Sequence, residues 1–499
     1  MAGPGLLLIR ADADSGIGSG HVMRCVALAH AWQRTGGAVH FLSRCDSAGL
    51  RDTIREAGFG LDLLDASCPD ASDLERTRAE GLKRNAQVVV IDGYCFDLPY
   101  QQALRASGFT LAMIDDLADA AEYSVDVLVN QNLHAPALEY RRPAGAVVLL
   151  GTRYVLLRPE FLEYPRWTRP PRAPGRNVLV TFGGGDSHGL TLKVARALAE
   201  PPMDRYDIRI IAGPMNPHRG ELYALAERTR HVAVLSDVRD MPAQMDWADV
   251  AIAAGGSTCW ELAFMGVPII ALSMAPNQMP VAEALGRMGV ARYLGWHEAV
   301  SMSAVRETVN ELLTDPEARR LMAARGRELV DGQGADRVVS ELRRREVVLR
   351  RAVESDCRLL WDWANDPDVR AQSFISDPIA WDRHVAWFGA RLLDSQCVLL
   401  IASDVEGQPV GQARFDIHGG SATISISLSA AVRGRGLGTV LISRASQELH
   451  RLTGIGVIDA FVKTDNAASA RAFEKAGFTL AGRTTVHGSE AFHFRRTGT

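Results

Sequence analysis

No apolar run in this sequence approaches the roughly 18 residues that a membrane-spanning helix requires, and Leu6 to Ile9 is too short for the core of a secretion signal. A cytoplasmic protein with no membrane partner is expected. An excess of charge of one sign is lacking too: 55 lysines and arginines face 59 aspartates and glutamates, a formal net charge of -4. So small a balance excludes broad electrostatic binding to nucleic acid and leaves a small molecule as the expected ligand. No C-x-x-C pair occurs. The seven cysteines are odd in number and scattered, which predicts a reducing compartment and no structural zinc. With no low-complexity tail and no short-period repeat, neither disorder nor a solenoid is expected.

What is present is the composition of an ordinary globular protein, 47% hydrophobic and 23% charged. At about 150 residues per domain, the chain predicts about three folding units. From Leu6 to about Leu150, the short apolar runs Leu6–Arg10, Ala38–Leu42, Val88–Asp92, Thr110–Asp115, Val125–Asn130 and Val147–Leu150 alternate with amphipathic stretches. That is the βαβ rhythm of a parallel sheet, and it assigns a Rossmann-like unit to residues 1–163. Tyr164–Arg176, rich in proline and arginine, reads as a linker.

The rhythm resumes with Asn177–Phe182, Ile208–Ala212, Val232–Leu235, Val250–Ala253 and Pro268–Leu272. A second doubly wound unit at 177–342 follows, with Glu317–Arg345 read as one charged helical stretch. In the third unit, 347–499, helices through Trp361 and from Trp381 to Leu393 precede the strands Cys397–Ala402, Gly411–Asp416 and Ala422–Leu428. Strands in succession predict an antiparallel α+β sheet.

Three segments carry chemistry. The first runs from Ala11 to His21, directly after a strand, with Gly16, Gly18 and Gly20 permitting close approach of a ligand. Its spacing is not the G-x-G-x-x-G fingerprint, which argues against a nicotinamide cofactor. His21 falls in the first turn of the helix that follows, where the positive helix end favours a neutral imidazole able to take a proton from water. Arg24, three residues on, faces the same way. The bland alternative is a histidine that caps the loop; the strand-loop-helix position favours chemistry.

The second segment, Ala254-Gly255-Gly256-Ser257-Thr258, also follows a strand and opens a helix, whose free amides suit a diphosphate. Glu261 lies one turn along, where a carboxylate can accept hydrogen bonds from ribose hydroxyls. The glycine run Gly183-Gly184-Gly185-Asp186 and the amides Asn277 and Gln278 follow two further strands of this unit, so all share one end of the sheet. An ordinary turn with a solvated Glu261 is the alternative.

Together, Asp12 to Arg24, Asp92-Gly93-Tyr94, Phe182 to Asp186 and Gly255 to Glu261 resemble the UDP-sugar hydrolases of pseudaminic acid biosynthesis, which are relatives of GT-B glycosyltransferases. The resemblance covers residues 1 to about 340. It implies two Rossmann-like halves in a GT-B-like arrangement and removal of UDP from a 2,4-diacetamido-2,4,6-trideoxy-L-altrose nucleotide. It further implies His21 as base, Tyr94 as its assistant at the sugar, and Asp12, Gly20 and Arg24 as substrate contacts. Gly183 to Asp186, Gly255 to Thr258, Glu261, Asn277 and Gln278 would hold the nucleotide. No metal is implied.

The third segment is Arg433-Gly434-Arg435-Gly436-Leu437-Gly438, an R-x-x-G-x-G loop that opens a helix and can hold a pyrophosphate. With Asn466-Ala467-Ala468-Ser469 and Phe473 to Phe478 behind it, residues 347 to about 490 resemble the GNAT acetyltransferases, so an α+β fold with acetyl-CoA as cosubstrate is implied. Arg433 to Gly438 would bind the acetyl-CoA pyrophosphate and Asn466 its pantetheine region. Trp361, Asn365-Asp366-Pro367, Arg370, His384 and Trp387-Phe388 resemble the branch that acetylates 4-amino sugars of UDP. Many GNAT enzymes carry a tyrosine where this chain has Phe473, so no general acid is assigned; His384 is a base, a sugar contact or a packed histidine. The expected function is a bifunctional enzyme that N-acetylates a UDP-linked 4-amino sugar and hydrolyses the product. A GT-B glycosyltransferase with an accessory acetyltransferase domain and a UDP-sugar-binding regulator are the alternatives.

Overall fold

The computed structural model describes residues 5–14, 18–65, 71–143, 145–164, 172–184, 186, 188–213, 215–434 and 436–497. Gly16, Gly185, Arg435 and most of the expected linker lie outside them.

The first sheet holds β1 (Leu6–Ala11), β2 (Val39–Ser43), β3 (Gly60–Leu63), β4 (Ala86–Asp92), β5 (Thr110–Ile114), β6 (Val127–Asn130) and β7 (Val147–Leu150). All pairs are parallel, in the order β3-β2-β1-β4-β5-β6-β7. Because helices cover both faces, β1 and β4 are buried almost throughout, as their unbroken apolar runs require. The one charge inside β1, Arg10, is fully buried and neutralised by Asp12 and Asp73.

The second sheet is built the same way from β8 (Asn177–Thr181), β9 (Asp207–Ala212), β10 (Val232–Ser236), β11 (Val250–Ala254), β12 (Ile269–Ser273) and β13 (Ala291–Trp296). Its order is β10-β9-β8-β11-β12-β13. In each sheet the winding reverses beside the first strand, between β1 and β4 and between β8 and β11. Loops leaving the carboxyl ends of those strands diverge and open a crevice. These are the loops that the sequence singled out.

The halves are laced together twice. Val155, Leu157 and Phe161, which follow β7, sink into the core of the second half, and the helix Gly334–Arg343 returns Ala335, Val338, Val339 and Leu342 to the core of the first. The stretch Glu317–Arg345 is therefore two helices, Pro316–Leu329 and Gly334–Arg343, rather than one. Gly332 between them, at φ 83°, lets the chain turn back. Where the returning helix begins, a Cβ on Gly334 would stand 2.2 Å from the Val155 carbonyl oxygen. Gly334→Ala should destabilise the chain by about 1–3 kcal/mol, read as a lowered denaturation midpoint.

The third sheet comprises β14 (Val348–Arg351), β15 (Cys397–Ser403), β16 (Pro409–His418), β17 (Ser421–Leu428), β18 (Val457–Lys463), β19 (Thr479–Val486) and β20 (Ser489–Thr497), in the order β14-β15-β16-β17-β18-β20-β19. It is not wholly antiparallel. The helix Leu437–Thr453 crosses over between β17 and β18, and those two strands pair parallel. The architecture is thus two doubly wound halves in a GT-B-like arrangement followed by an α+β domain with a mixed sheet.

The crossover helix also docks this domain on the first half. Arg444 Nη2 donates to the Ala86 carbonyl at 3.1 Å and Gln447 Nε2 to that of Ser107 at 2.9 Å. Burial lowers the Arg444 guanidinium to about 10, against the pull of Glu346. Among the described residues, no helix is long and apolar enough to cross a membrane.

Candidate functional site

The strand reversal at β1 and β4 brings His21 and Asp92 together. His21 stands in the first turn of the helix Gly20–Arg34, reached from the end of β1, and Asp92 is the last residue of β4. The imidazole Nδ1 lies 2.6 Å from Asp92 Oδ1. A carboxylate can only accept, so Nδ1 carries a proton, and in the neutral ring Nε2 is the nitrogen that holds the lone pair. Arg24 clamps the same carboxylate, with Nε 2.7 Å from Oδ2 and Nη2 2.7 Å from Oδ1. Burial alone would raise the Asp92 carboxyl; Arg24 and His21 outweigh it and hold the group far below the usual carboxylate range. Asp92 therefore stays an anion that orients His21 and favours positive charge on the ring once a proton is taken.

Asp116 completes the cluster. Its Oδ1 accepts from Arg24 Nη1 at 2.9 Å and Asn132 Nδ2 at 2.8 Å, and Oδ2 accepts from the Tyr94 hydroxyl at 3.3 Å. Burial raises this carboxyl, but Arg24 prevails and lowers it. Tyr94 meets the His21 ring edge to face with centroids 5.0 Å apart. Burial, with Asp116 beside it, raises its phenol, which stays protonated at neutral pH.

Three contacts place this cluster opposite the second half. Asn277 Nδ2 donates to the Tyr94 hydroxyl at 2.8 Å. A Cβ on Gly184 would lie 2.4 Å from Ser19 Oγ, and one on Gly20 would lie 3.6 Å from Ser257 Oγ. The expected residues His21, Arg24, Tyr94, Gly20, Gly184, Ser257 and Asn277 thus share one crevice. Space beside Gly183 and Gly256 is open, with nothing within 4 Å of a built Cβ. Gly255 is a glycine for a different reason: its Cβ would press 2.7 Å from the Gln278 carbonyl oxygen. Gly255→Ala should push the Gly255–Thr258 turn off its place and destabilise the chain by about 1–3 kcal/mol, read as a lowered denaturation midpoint.

Other expected contacts have partners within the chain. Asp12 Oδ1 accepts from the Arg44 amide at 2.7 Å, with Arg10 paired to the same carboxylate. Asp186 takes the Leu190 and Thr191 amides at 2.9 and 2.7 Å, capping the helix Leu190–Ala199. Gln278 Oε1 accepts from the Met274 amide at 2.8 Å. Glu261, in the first turn of the helix Thr258–Met265, pairs with Arg158 at 3.1 Å; burial raises its carboxyl despite that cation. Thr258 opens that helix, and Gly185 lies outside the described residues.

In the third domain, β17 and β18 pair only from Ser421 to Ile424 and from Val457 to Ala460. Beyond that no pairing joins them, and Leu428 at the end of β17 comes within 3.7 Å of the position of a Cβ on Gly438. Gly434 and Gly436 in this loop have φ of 77° and 81°, and Leu437 and Gly438 begin the crossover helix. A split sheet with a glycine loop and helix start at its mouth fits an extended cosubstrate whose phosphates rest on amides, as acetyl-CoA has. Arg433 itself is ion-paired to Asp366 at 2.8 Å and Asp368 at 3.0 Å, and Arg435 lies outside the described residues. Asn466 Oδ1 caps the helix Ala467–Lys475 by accepting from the Ser469 amide.

Phe473 is buried against Phe478 and Phe494 and offers no proton. His384 is buried between Trp381 and Phe388, its Nε2 donating to the Cys357 carbonyl at 3.0 Å, so it is a packed histidine. Trp361, Asn365 and Arg370 hold the segment 375–379 by bonds to the carbonyls of Ile375, Asp377 and Ile379.

Sequence reasoning named Asp92 only within the Asp92-Gly93-Tyr94 segment, with no role of its own, and did not single out Asp116. A signal existed for Asp92, a charge at the end of an apolar strand; Asp116 carried none. The scatter of cysteines misled in one respect, since Cys95, beside Tyr94, is disulfide-bonded. Among the described residues, no three His, Cys, Asp or Glu side chains gather as a metal site.

Residues 178–335 match the glycosyltransferase family 28 C-terminal domain, and residues 346–479 match the acetyltransferase (GNAT) domain. An uncharacterized protein of Methanocaldococcus jannaschii is 21% identical over 490 residues, 95% of this chain and 96% of that protein. The spore coat polysaccharide biosynthesis protein SpsG of Bacillus subtilis is 30% identical over 193 residues, 38% of this chain and 57% of that protein, so the match spans little more than half of its length. An L-methionine sulfoximine/L-methionine sulfone acetyltransferase of Salmonella typhimurium is 30% identical over 141 residues, 27% of this chain and 81% of that protein.

Proposed function

The C-terminal domain belongs to the GNAT acetyltransferases, and on that premise we propose a bifunctional nucleotide-sugar enzyme that acetylates the 4-amine of a UDP-linked trideoxy amino sugar and then hydrolyses UDP from the product. The substrate is the UDP-2,4-diacetamido-2,4,6-trideoxy-L-altrose of pseudaminic acid biosynthesis and its 4-amino precursor. One observation carries the hydrolase half: the His21–Asp92 pair stands across a crevice from the Gly255–Ser257 helix start. UDP is a good leaving group, so the helix amides that receive its growing charge do most of what the reaction needs. His21 Nε2 takes a proton from the water that attacks the anomeric carbon; the glycosidic C–O bond breaks and UDP departs as the anion. Tyr94, tied to both Asp116 and Asn277, holds the two halves around the sugar. Tyr94→Phe removes the acceptor for Asn277 and should weaken nucleotide-sugar binding about 2- to 10-fold, seen as a raised KM with kcat little changed.

In the acetyltransferase half, the sugar amine attacks the thioester carbonyl, the C–S bond breaks and CoA leaves as the thiolate; the amine gives its proton to solvent, and the thiolate takes one from solvent because Phe473 supplies none. The test is incubation of UDP-4-amino-4,6-dideoxy-N-acetyl-L-altrosamine with acetyl-CoA, followed by mass spectrometry. The diacetylated nucleotide should form first and UDP second; no UDP from authentic diacetylated substrate would end the hydrolase claim. The glycosyltransferase family match favours a second reading, in which an acceptor hydroxyl replaces water. UDP release only on addition of an acceptor would establish it.

A further inference from the structure

We infer that the acetyl-CoA site is completed by the first half of the molecule, through Arg345 and the turn around Gly145, so that cosubstrate binding depends on the docked interface. This rests on the acetyltransferase reading and adds to it a residue that lies ahead of the domain's first strand. Four observations lead to it.

Of the loop's two arginines, Arg433 is ion-paired to Asp366 and Asp368, and Arg435 lies outside the described residues. Arg345 stands against the same loop from the other side. It is only 4% exposed, and its Nη1 lies 3.3 Å from the position of a Cβ on Gly436. It has two partners of its own: Nη2 donates to the Gly145 carbonyl at 2.9 Å, and Nε, which makes no hydrogen bond, stands 3.8 Å from Glu341 in a loose ion pair. Gly145, on the turn between β6 and β7, touches the loop in its own right, since a Cβ there would lie 3.5 Å from the Gly434 oxygen and 3.8 Å from the Gly436 nitrogen.

A buried guanidinium attracts a nearby diphosphate more strongly than an exposed one, because water screens it less. Arg345 is thus a positioning residue: it fixes the Gly145 turn against the loop and lends positive charge to the place where phosphates would rest. The arrangement links the two activities physically. The strand that precedes the Gly145 turn belongs to the sheet that carries His21, so acetyl-CoA and the nucleotide sugar bind to one continuous body.

The test uses the full chain with calorimetric titration of CoA, titration of UDP, and steady-state acetylation. Arg345→Ala should raise the Kd for CoA and the KM for acetyl-CoA about tenfold, with kcat within about twofold and the Kd for UDP unchanged. Arg345→Lys should recover part of the loss, and Gly145→Ala, which sets a methyl group against Gly434, should weaken CoA binding on its own. Unchanged CoA affinity in Arg345→Ala would overturn the inference. So would joint loss of CoA and UDP binding in Arg345→Ala with full CoA affinity in Gly145→Ala. Failure of the unsubstituted chain to bind CoA would instead bring down the acetyltransferase reading beneath it.

Discussion

His21→Gln should slow UDP release from the diacetylated nucleotide sugar by about 100- to 10,000-fold, the range that a positioned general base contributes. Binding should survive, because the imidazole bonds to Asp92 rather than to the loops of the second half. The expected signature is a fall in kcat with a Kd for UDP unchanged within about twofold. Acetylation by the third domain should continue, so the diacetylated nucleotide should accumulate in the coupled reaction. A histidine that merely packed the loop would give the opposite pattern, with lowered stability and nearly normal turnover.

Asp92→Ala should do more damage of a different kind. Removing the carboxylate frees the imidazole to rotate and leaves the Arg24 guanidinium short of a partner in a site where Asp92 is 1% exposed. Breaking a buried pair from one side costs about 3–5 kcal/mol, so both the denaturation midpoint and hydrolysis should fall steeply. The same pair sets a pH dependence. The folded-state pKa of Asp92 is depressed, so its contribution to stability is complete above the ordinary aspartate value of about 3.9 and is lost as pH falls below it towards the folded value. Acid denaturation should therefore begin at lower pH in the unsubstituted chain than in Asp92→Asn, which lacks that titration and should start from a lower plateau.

Much of this was legible in the residues because parallel strands covered on both faces leave unbroken apolar runs. The loops after β1, β8 and β11 could be placed at strand ends before any coordinates. What stayed hidden was of two kinds. Short or half-exposed strands such as Gly60–Leu63 and Thr479–Val486 bury too little to show a period, and the mixed pairing of β17 with β18 follows from a crossover that local sequence does not display. In the site, spacing brought forward the helix residues His21 and Arg24, but their partner Asp92 lies 71 residues from His21, and only the strand order makes them neighbours. Conversely Asp186, Gln278 and Asn466 occupy the expected loops while spending their side-chain oxygens on backbone amides. A motif reports where a loop lies; it does not report which way each side chain turns.

The account turns on water, steered by His21, attacking the anomeric carbon. Hydrolysis of the diacetylated UDP-sugar in ¹⁸O-water with no acceptor present, followed at once by mass spectrometry, reads that event directly. The expected result is unlabelled UDP and a free sugar carrying one ¹⁸O, with neither formed at an appreciable rate by His21→Gln. Label in the UDP, or no UDP at all until an acceptor alcohol is added, would contradict it.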